Sequence, residues 1–199
     1  MLDSIDYYNR YAVPYYEKTV DADMGEVMKP FVELLPENAE VLDLGCGSGR
    51  DTLALEEYGF YVTPLDGAEK MCRLAEVNID RDVLCMTYDE MDFDDVFDGI
   101  WACASLVHLR DDQMRSVLKK LILALHEDGI LYFSVRKGDR DGIYGERYFR
   151  DYTKRELYDL LEEFPQLKVI DLWTTQDVLP GRQDRVWLNV LVKKVDPEV

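Results

Sequence analysis

Asp43 closes an apolar run in Val41-Leu42-Asp43-Leu44-Gly45-Cys46-Gly47-Ser48-Gly49-Arg50, and three glycines follow at alternate positions. Glycine adopts positive φ cheaply and has no Cβ, so a ligand can lie directly on the backbone. An aspartate at the same turn can accept hydrogen bonds from a cationic or hydroxyl-bearing ligand. A second acid, Asp66, ends the β-prone run Phe60–Leu65, 23 residues after Asp43. A carboxylate at the tip of a second strand, about 20 residues beyond a glycine loop, is placed to hold both hydroxyls of a ribose. The two signals point to a nucleoside ligand. A dinucleotide fingerprint, G-x-G-x-x-G, would need glycine or alanine at position 50, and Arg50 stands there. That disfavours a nicotinamide-dependent oxidoreductase.

These residues need strands to carry them and helices to cover the strands. Val41–Leu44 reads as strand one, Asp51–Tyr58 as a helix, and Gly59 as the residue that ends it. Phe60–Leu65 is strand two. Ala68–Val77 is a helix with Met71, Leu74 and Ala75 at helical spacing. Val83–Tyr88 and Phe97–Ala104 are strands three and four. Gln113–His126 is a helix, opened by Asp111 and Asp112 at the positive end of its dipole and broken by Gly129. Ile130–Val135 is strand five, and Thr153-x-x-Glu156 fits a capping box opening a helix to Phe164. Leu167–Thr175 and Arg185–Lys193 are the last strands. Their connection is too short for a parallel crossover, so they should run antiparallel. Ahead of all this, residues 4–29 read as a helical segment broken near Pro14.

VLDLGCGSGRDT and TPLD, with FDGIWACASLVHL and LHEDGILYFSV further along, resemble the motifs of the class I S-adenosylmethionine-dependent methyltransferases. The likeness is to the small single-domain branch that includes tellurite- and thiol-resistance-type enzymes, and it covers nearly the whole chain. It implies an α/β, Rossmann-like, doubly wound seven-stranded sheet, mostly parallel with the last strand reversed. It implies a single domain over 1–199, with an N-terminal helical lid over 1–30 and a core over 38–199. The implied cofactor is S-adenosylmethionine.

The same resemblance assigns roles. Asp43 would meet the methionine portion of the cofactor, directly or through water, above a floor of Gly45, Cys46, Gly47 and Gly49. Cys46 reads as a small packed side chain rather than a catalytic thiol. Asp66 would bind the ribose, with Gly67 and Ala68 beside the adenosine and Met71 beyond. In the family an acid after strand three takes the adenine amino group. Here Asp89 and Glu90 fall late, so Thr87 and Tyr88 take that place. Ala102 and Cys103, at the end of strand four, would offer backbone near the methionine portion. His108 lies just past them and could serve as a general base, or it could cap the next helix or bond a loop carbonyl.

Tyr8, Tyr11 and Tyr15 fall on one helical face. They form either a packing stripe or a lid whose rings reach the sulfonium or the acceptor, with Tyr8 the candidate catalytic ring. Arg147, Tyr148, Phe149 and Tyr152 could line an acceptor pocket, as could Trp187 and Asn189.

Composition limits the alternatives. A chain of 199 residues fits one domain. It opens without a basic, then apolar, leader and has no apolar run of membrane-spanning length. The four cysteines lack C-x-x-C spacing, which fits a reduced, cytoplasmic protein, and with two histidines no metal site is expected. Net charge is −18, with −17 in residues 1–100 and −1 in the rest. Such a surface repels nucleic acid unless a local patch overrides it. The best patch is the segment 136–155, where Arg136, Arg147 and Arg150 could attract an anionic small substrate. The resulting reading is a soluble methyltransferase with a small-molecule acceptor, an anion or a thiol or chalcogen species, and no membrane partner. An RNA- or protein-directed enzyme and a non-catalytic cofactor-binding regulator are the alternatives.

Overall fold

Alternation along the central strands decides which helices each sheet face buries. A computed structural model describes residues 4–197. In β1 (Glu40–Leu44), Leu42 and Leu44 pack on one face and Val41 on the other. The pattern repeats in β4 (Phe97–Ala102) and β5 (Leu125–Arg136): Ile100, Leu131 and Phe133 join the first face, and Trp101 and Tyr132 the second. A period of two sorts side chains this way because successive residues of a strand point to opposite faces. The first face is covered by α6 (Asp111–Ala124) and α7 (Lys154–Leu161). The second is covered by α3 (Gly25–Val32) and α4 (Arg50–Glu57), where Phe31 packs on Trp101 and Trp101 stacks on Tyr132 at 3.9 Å.

The seven strands lie in the order β3-β2-β1-β4-β5-β9-β8, with β2 at Tyr61–Asp66, β3 at Leu84–Cys85, β8 at Leu167–Gln176 and β9 at Val186–Lys194. β9 runs antiparallel to both neighbours, as the short connection requires, and the sheet is otherwise parallel. This is the Rossmann-like arrangement, with α5 (Glu69–Ile79) in the crossover from β2 to β3.

Several elements differ from the sequence reading. Strand three keeps only Leu84–Cys85. Thr87 caps a 3-10 turn at Tyr88–Glu90 with the Glu90 carboxylate, and that local bonding ends the strand early. α6 stops at Ala124, and β5 starts at Leu125, so Gly129 sits inside the strand segment rather than breaking a helix. The N-terminal helices α1 (Ser4–Arg10) and α2 (Ala12–Thr19) part at Tyr11, and Pro14 lies within the first turn of α2. The first turn has no intrahelical partner for the missing N–H, so proline fits there and the break falls before it. A hairpin absent from the sequence reading, β6 (Asp141–Tyr144) with β7 (Arg147–Arg150), stands beyond β5. No helix among the described residues is long and apolar enough to cross a membrane.

Candidate active site

The carboxyl ends of β1, β2, β4 and β5 open into two adjoining cavities, as expected for ligand sites of open α/β sheets. The larger, about 640 Å³, is lined by Asp66, Gly67, Ala68, Thr87, Tyr88 and the loop after β4. The smaller, about 410 Å³, lies under α2, the hairpin and the β8–β9 loop. Six residues line both: Tyr8, Tyr15, Gly45, Gly47, Cys103 and Ala104. A molecule held in one cavity can therefore meet a molecule held in the other at this common wall.

The glycine loop owes its path to positive φ at Gly45, Gly47 and Gly49. A Cβ at Gly45 would lie 2.5 Å from Ser105 Cβ, so the loop packs directly on the segment after β4. At Gly47 the nearest heavy atoms are 3.9 and 4.0 Å from such a Cβ, and that backbone faces the cavities. Gly49 lines neither cavity. It caps α4, and a Cβ there would strike Ile79 at 2.6 Å.

Asp66 ties this loop to α5. One carboxylate oxygen accepts the Gly47 N–H at 3.0 Å and the other the Ala68 N–H at 2.8 Å. Burial pushes its pKa up, and the backbone donors oppose that shift. The Gly67 N–H also faces this carboxylate, whose remaining acceptor capacity is open to a ligand in the larger cavity.

Asp43 is placed differently from the sequence expectation. It shares a strand face with Val41 and Trp101, beneath α4, and is 2% exposed. Its carboxylate accepts the Thr52 hydroxyl at 2.6 Å, and it lines neither cavity. Burial first, and the nearby Asp51 carboxylate second, hold its pKa well above the usual carboxylate range. Asp51 does reach the smaller cavity, gripped by Arg50 through two bonds of 2.7 and 2.9 Å and by the Trp101 indole at 2.9 Å.

Ala102 is fully buried and lines neither cavity, whereas Cys103 lines both. Burial pushes the Cys103 thiol up to about 12 and the Cys46 thiol well up, so neither is a ready nucleophile. Ala104 takes positive φ and donates its N–H to Ser134 Oγ at 2.8 Å, which fixes the turn after β4. Thr87 spends its side chain on Glu90, and Tyr88 donates its hydroxyl to the Ser105 carbonyl at 3.0 Å.

His108 Nδ1 faces the Tyr148 carbonyl at 2.6 Å, and Nε2 meets the Tyr8 hydroxyl at 3.0 Å. A carbonyl only accepts, so Nδ1 carries the proton, and Nε2 of the neutral ring accepts from Tyr8. The Arg147 guanidinium donates to the same Tyr8 oxygen at 2.9 Å and lies 4.0 Å over the Tyr7 ring. Lid, hairpin and the turn after β4 thus converge on one phenol. Arg10 of α1 also pairs with Glu146 at the hairpin turn. Arg150 is a correction: it pairs with Asp111 and Glu156 and lines neither cavity, while Arg136 and Arg147 line the smaller one.

A methyltransferase-domain family profile matches residues 41–129, from β1 into β5. An uncharacterized methyltransferase of Staphylococcus carnosus is 27% identical over 158 residues, 75% of this chain and 76% of that protein. The Bacillus subtilis protein YqeM, named as a methyltransferase, is 32% identical over 135 residues, 64% of this chain and 55% of its own length. Residues 41–129 thus carry a methyltransferase domain, and the chain is similar to the class I S-adenosylmethionine-dependent methyltransferases. Among solved structures, the 1,6-didemethyltoxoflavin-N1-methyltransferase of Burkholderia thailandensis superposes with a TM-score of 0.74 at 23% identity, covering 97% of this chain and 86% of that one. Its structure holds 1,6-didemethyltoxoflavin and S-adenosylhomocysteine.

The cofactor of the methyltransferase family is S-adenosylmethionine, and this chain's residues suit it. Asp66 keeps acceptor capacity at the wall of the larger cavity, and Gly47 borders both cavities with bare backbone. The sequence reading overlooked Ser134, Ser105 and Arg185 around this site. Ser134 is a lone polar residue in an apolar strand, which was a usable signal. Arg185 is brought in by a loop whose path no local pattern reveals.

Proposed function

We propose that this protein is a methyltransferase acting on a small molecule held in the smaller cavity, with Tyr8 and His108 handling the acceptor's proton. The observation that carries this reading is the common wall of the two cavities. When bound, the cofactor supplies an electrophilic methyl group on a positively charged sulfur. Asp66 would hold the ribose in the larger cavity, between Gly67, Ala68, Thr87 and Tyr88. Gly45 and Gly47 would carry the methionine portion toward Ser48 and Asp51, at the α4 end of the smaller cavity. The acceptor would take the β5–β9 end.

A cavity of about 410 Å³ suits a small ligand, at the lower end of the usual range. Methyl transfer needs the acceptor atom held in line and freed of its proton, and positioning supplies most of the rate. Tyr8 stands at the common wall. Burial raises its pKa and Arg147 lowers it, with burial dominant. The phenol is therefore neutral at rest and acts as a relay. It accepts the acceptor's proton as its own passes to His108 Nε2, and Arg147 steadies the oxygen during the exchange. The rings of Tyr8 and Tyr15 meet edge to face, 5.0 Å apart, beside this point.

The test is a screen for S-adenosylhomocysteine release across small hydroxyl, amine and thiol acceptors, run beside transfer RNA and protein fractions. Turnover with a small molecule, lost in Tyr8→Phe, supports the reading. Turnover with RNA or protein alone would replace it.

A further inference from the structure

The smaller cavity gathers four of the five arginines that, among the described residues, have no carboxylate partner. The chain has 13 arginines and 41 acidic residues. Eight of these arginines have a carboxylate within 4.0 Å. Among the described residues, the five without one are Arg110, Arg136, Arg147, Arg182 and Arg185. The last four all line the smaller cavity. In a chain this acidic, four unpaired guanidiniums around one cavity are not a shortage of partners. Like charges held together without a counterion repel, so a site of this kind is completed by an anion.

Three of the four are available to a ligand. Arg147 already serves Tyr8 and Tyr7. Arg136 is the last residue of β5, opposite Trp187 in the ladder. Its guanidinium lies 6.0 Å over the Trp187 ring, and its buried Nε has no hydrogen-bond partner. Burial first, then the charges of Arg140 and Arg185, pull its pKa down, against the nearby Asp151 and Asp177 carboxylates. Arg182 and Arg185 come from the β8–β9 loop. The acid in the same wall, Asp177, is occupied: it accepts the Leu179 N–H at 2.9 Å and the Trp187 indole N–H at 3.3 Å. The cluster is also distant from the glycine loop. β5 is two strands from β1, roughly 10 Å at ordinary strand spacing, and β9 is one strand farther.

We infer that the methyl acceptor carries an oxyanion, a carboxylate or a phosphate monoester, that docks on Arg136, Arg182 and Arg185 and presents the atom to be methylated toward Tyr8. Guanidinium forks match both anions in a two-point geometry, and Trp187 offers an aromatic face beside them. This inference rests on the proposed methyltransferase reading and names its substrate class.

The experiment uses the whole chain saturated with S-adenosylhomocysteine, with amide resonances followed by NMR. Benzoate and phenyl phosphate are titrated as probes, with benzamide as the neutral control. At least one anion should bind together with S-adenosylhomocysteine, at least tenfold tighter than benzamide, and the stronger of the two names the oxyanion. Arg136→Gln should weaken that anion at least tenfold and leave S-adenosylhomocysteine affinity within twofold. If Arg136→Gln does not fold, Arg182→Gln/Arg185→Gln, on the loop, gives the same readout. No anion binding, or equal binding by the variants, would overturn the inference while the cofactor reading stands. Competition between anion and S-adenosylhomocysteine would assign the arginines to the cofactor and also overturn it, as would displacement of the anion by transfer RNA. Failure of S-adenosylhomocysteine to bind the unmodified chain would instead remove the reading on which the inference rests.

Discussion

Tyr8 and His108, 100 positions apart in the chain, share a hydrogen bond of 3.0 Å between phenol oxygen and Nε2. The bond joins the N-terminal helices to the turn after β4, and it sits where the two cavities meet. Tyr8→Phe keeps the ring and removes the relay, and His108→Asn removes its terminus. Both should lower kcat by roughly 10²- to 10⁴-fold for an acceptor that must lose a proton. S-adenosylhomocysteine affinity should change only a few-fold. Steady-state kinetics beside calorimetry separates the two effects. A Tyr8→Phe enzyme with normal kcat and weakened cofactor binding would make Tyr8 a cofactor wall.

The glycine loop offers a test that separates folding from binding. An L-residue at positive φ costs roughly 1–2 kcal/mol. Gly45→Ala adds an overlap with Ser105 Cβ, an atom anchored to backbone, so it should lose clearly more stability than that in urea. Gly47→Ala meets no close neighbour and should lose only the φ cost, while its methyl group blocks the cavity and weakens S-adenosylhomocysteine at least tenfold. Equal loss of stability in both variants would contradict this geometry.

Much of this was legible in the sequence. The order of strands and helices followed from hydrophobic periodicity, and the reversed last strand followed from a nine-residue link too short to cross over. The position of the loop Gly45–Gly49 and of Asp66 at the ends of β1 and β2 was recognisable, because those strand ends are marked locally. The placement of Asp43 within its strand was less so, because whether an acid at a strand end faces a cleft or a helix depends on strand parity and on Thr52 from α4. The hairpin was missed because Asp141–Arg150 is rich in charge and glycine, with too little alternation to signal strands. Arg150 looked like a free cation in the sequence. Its partners, Asp111 and Glu156, come from two other elements.

Asp43 also predicts a pH dependence of stability. Its folded-state pKa lies above the unfolded value, so the native state keeps a proton that the unfolded chain releases. Stability from this group is fully present below the ordinary carboxylate range and declines as pH rises through the folded pKa. Asp43→Asn keeps an acceptor for Thr52 and cannot ionise. Between pH 5 and pH 8 its urea stability should fall less steeply than that of the unmodified chain, by up to about 1.4 kcal/mol per pH unit. Parallel curves would mean that Asp43 is ionised in the native state.

In the proposed function, Asp66 holds the adenosyl cofactor in the larger cavity, beside the glycine loop. The direct measurement is calorimetric titration of the unmodified chain and of Asp66→Ala with S-adenosylhomocysteine. Charge-assisted hydrogen bonds to the two ribose hydroxyls are worth about 1.5–3 kcal/mol each, and water entering the truncated site repairs part of the loss. A net loss of about 2–3 kcal/mol raises Kd roughly 30- to 150-fold. The variant also leaves the Gly47 and Ala68 N–H groups without their partner, which costs about 1–3 kcal/mol of stability, so its folding is checked first by urea titration. Tight binding by the unmodified chain with this loss in a folded Asp66→Ala is the predicted result. An unchanged affinity in the folded variant would contradict the account.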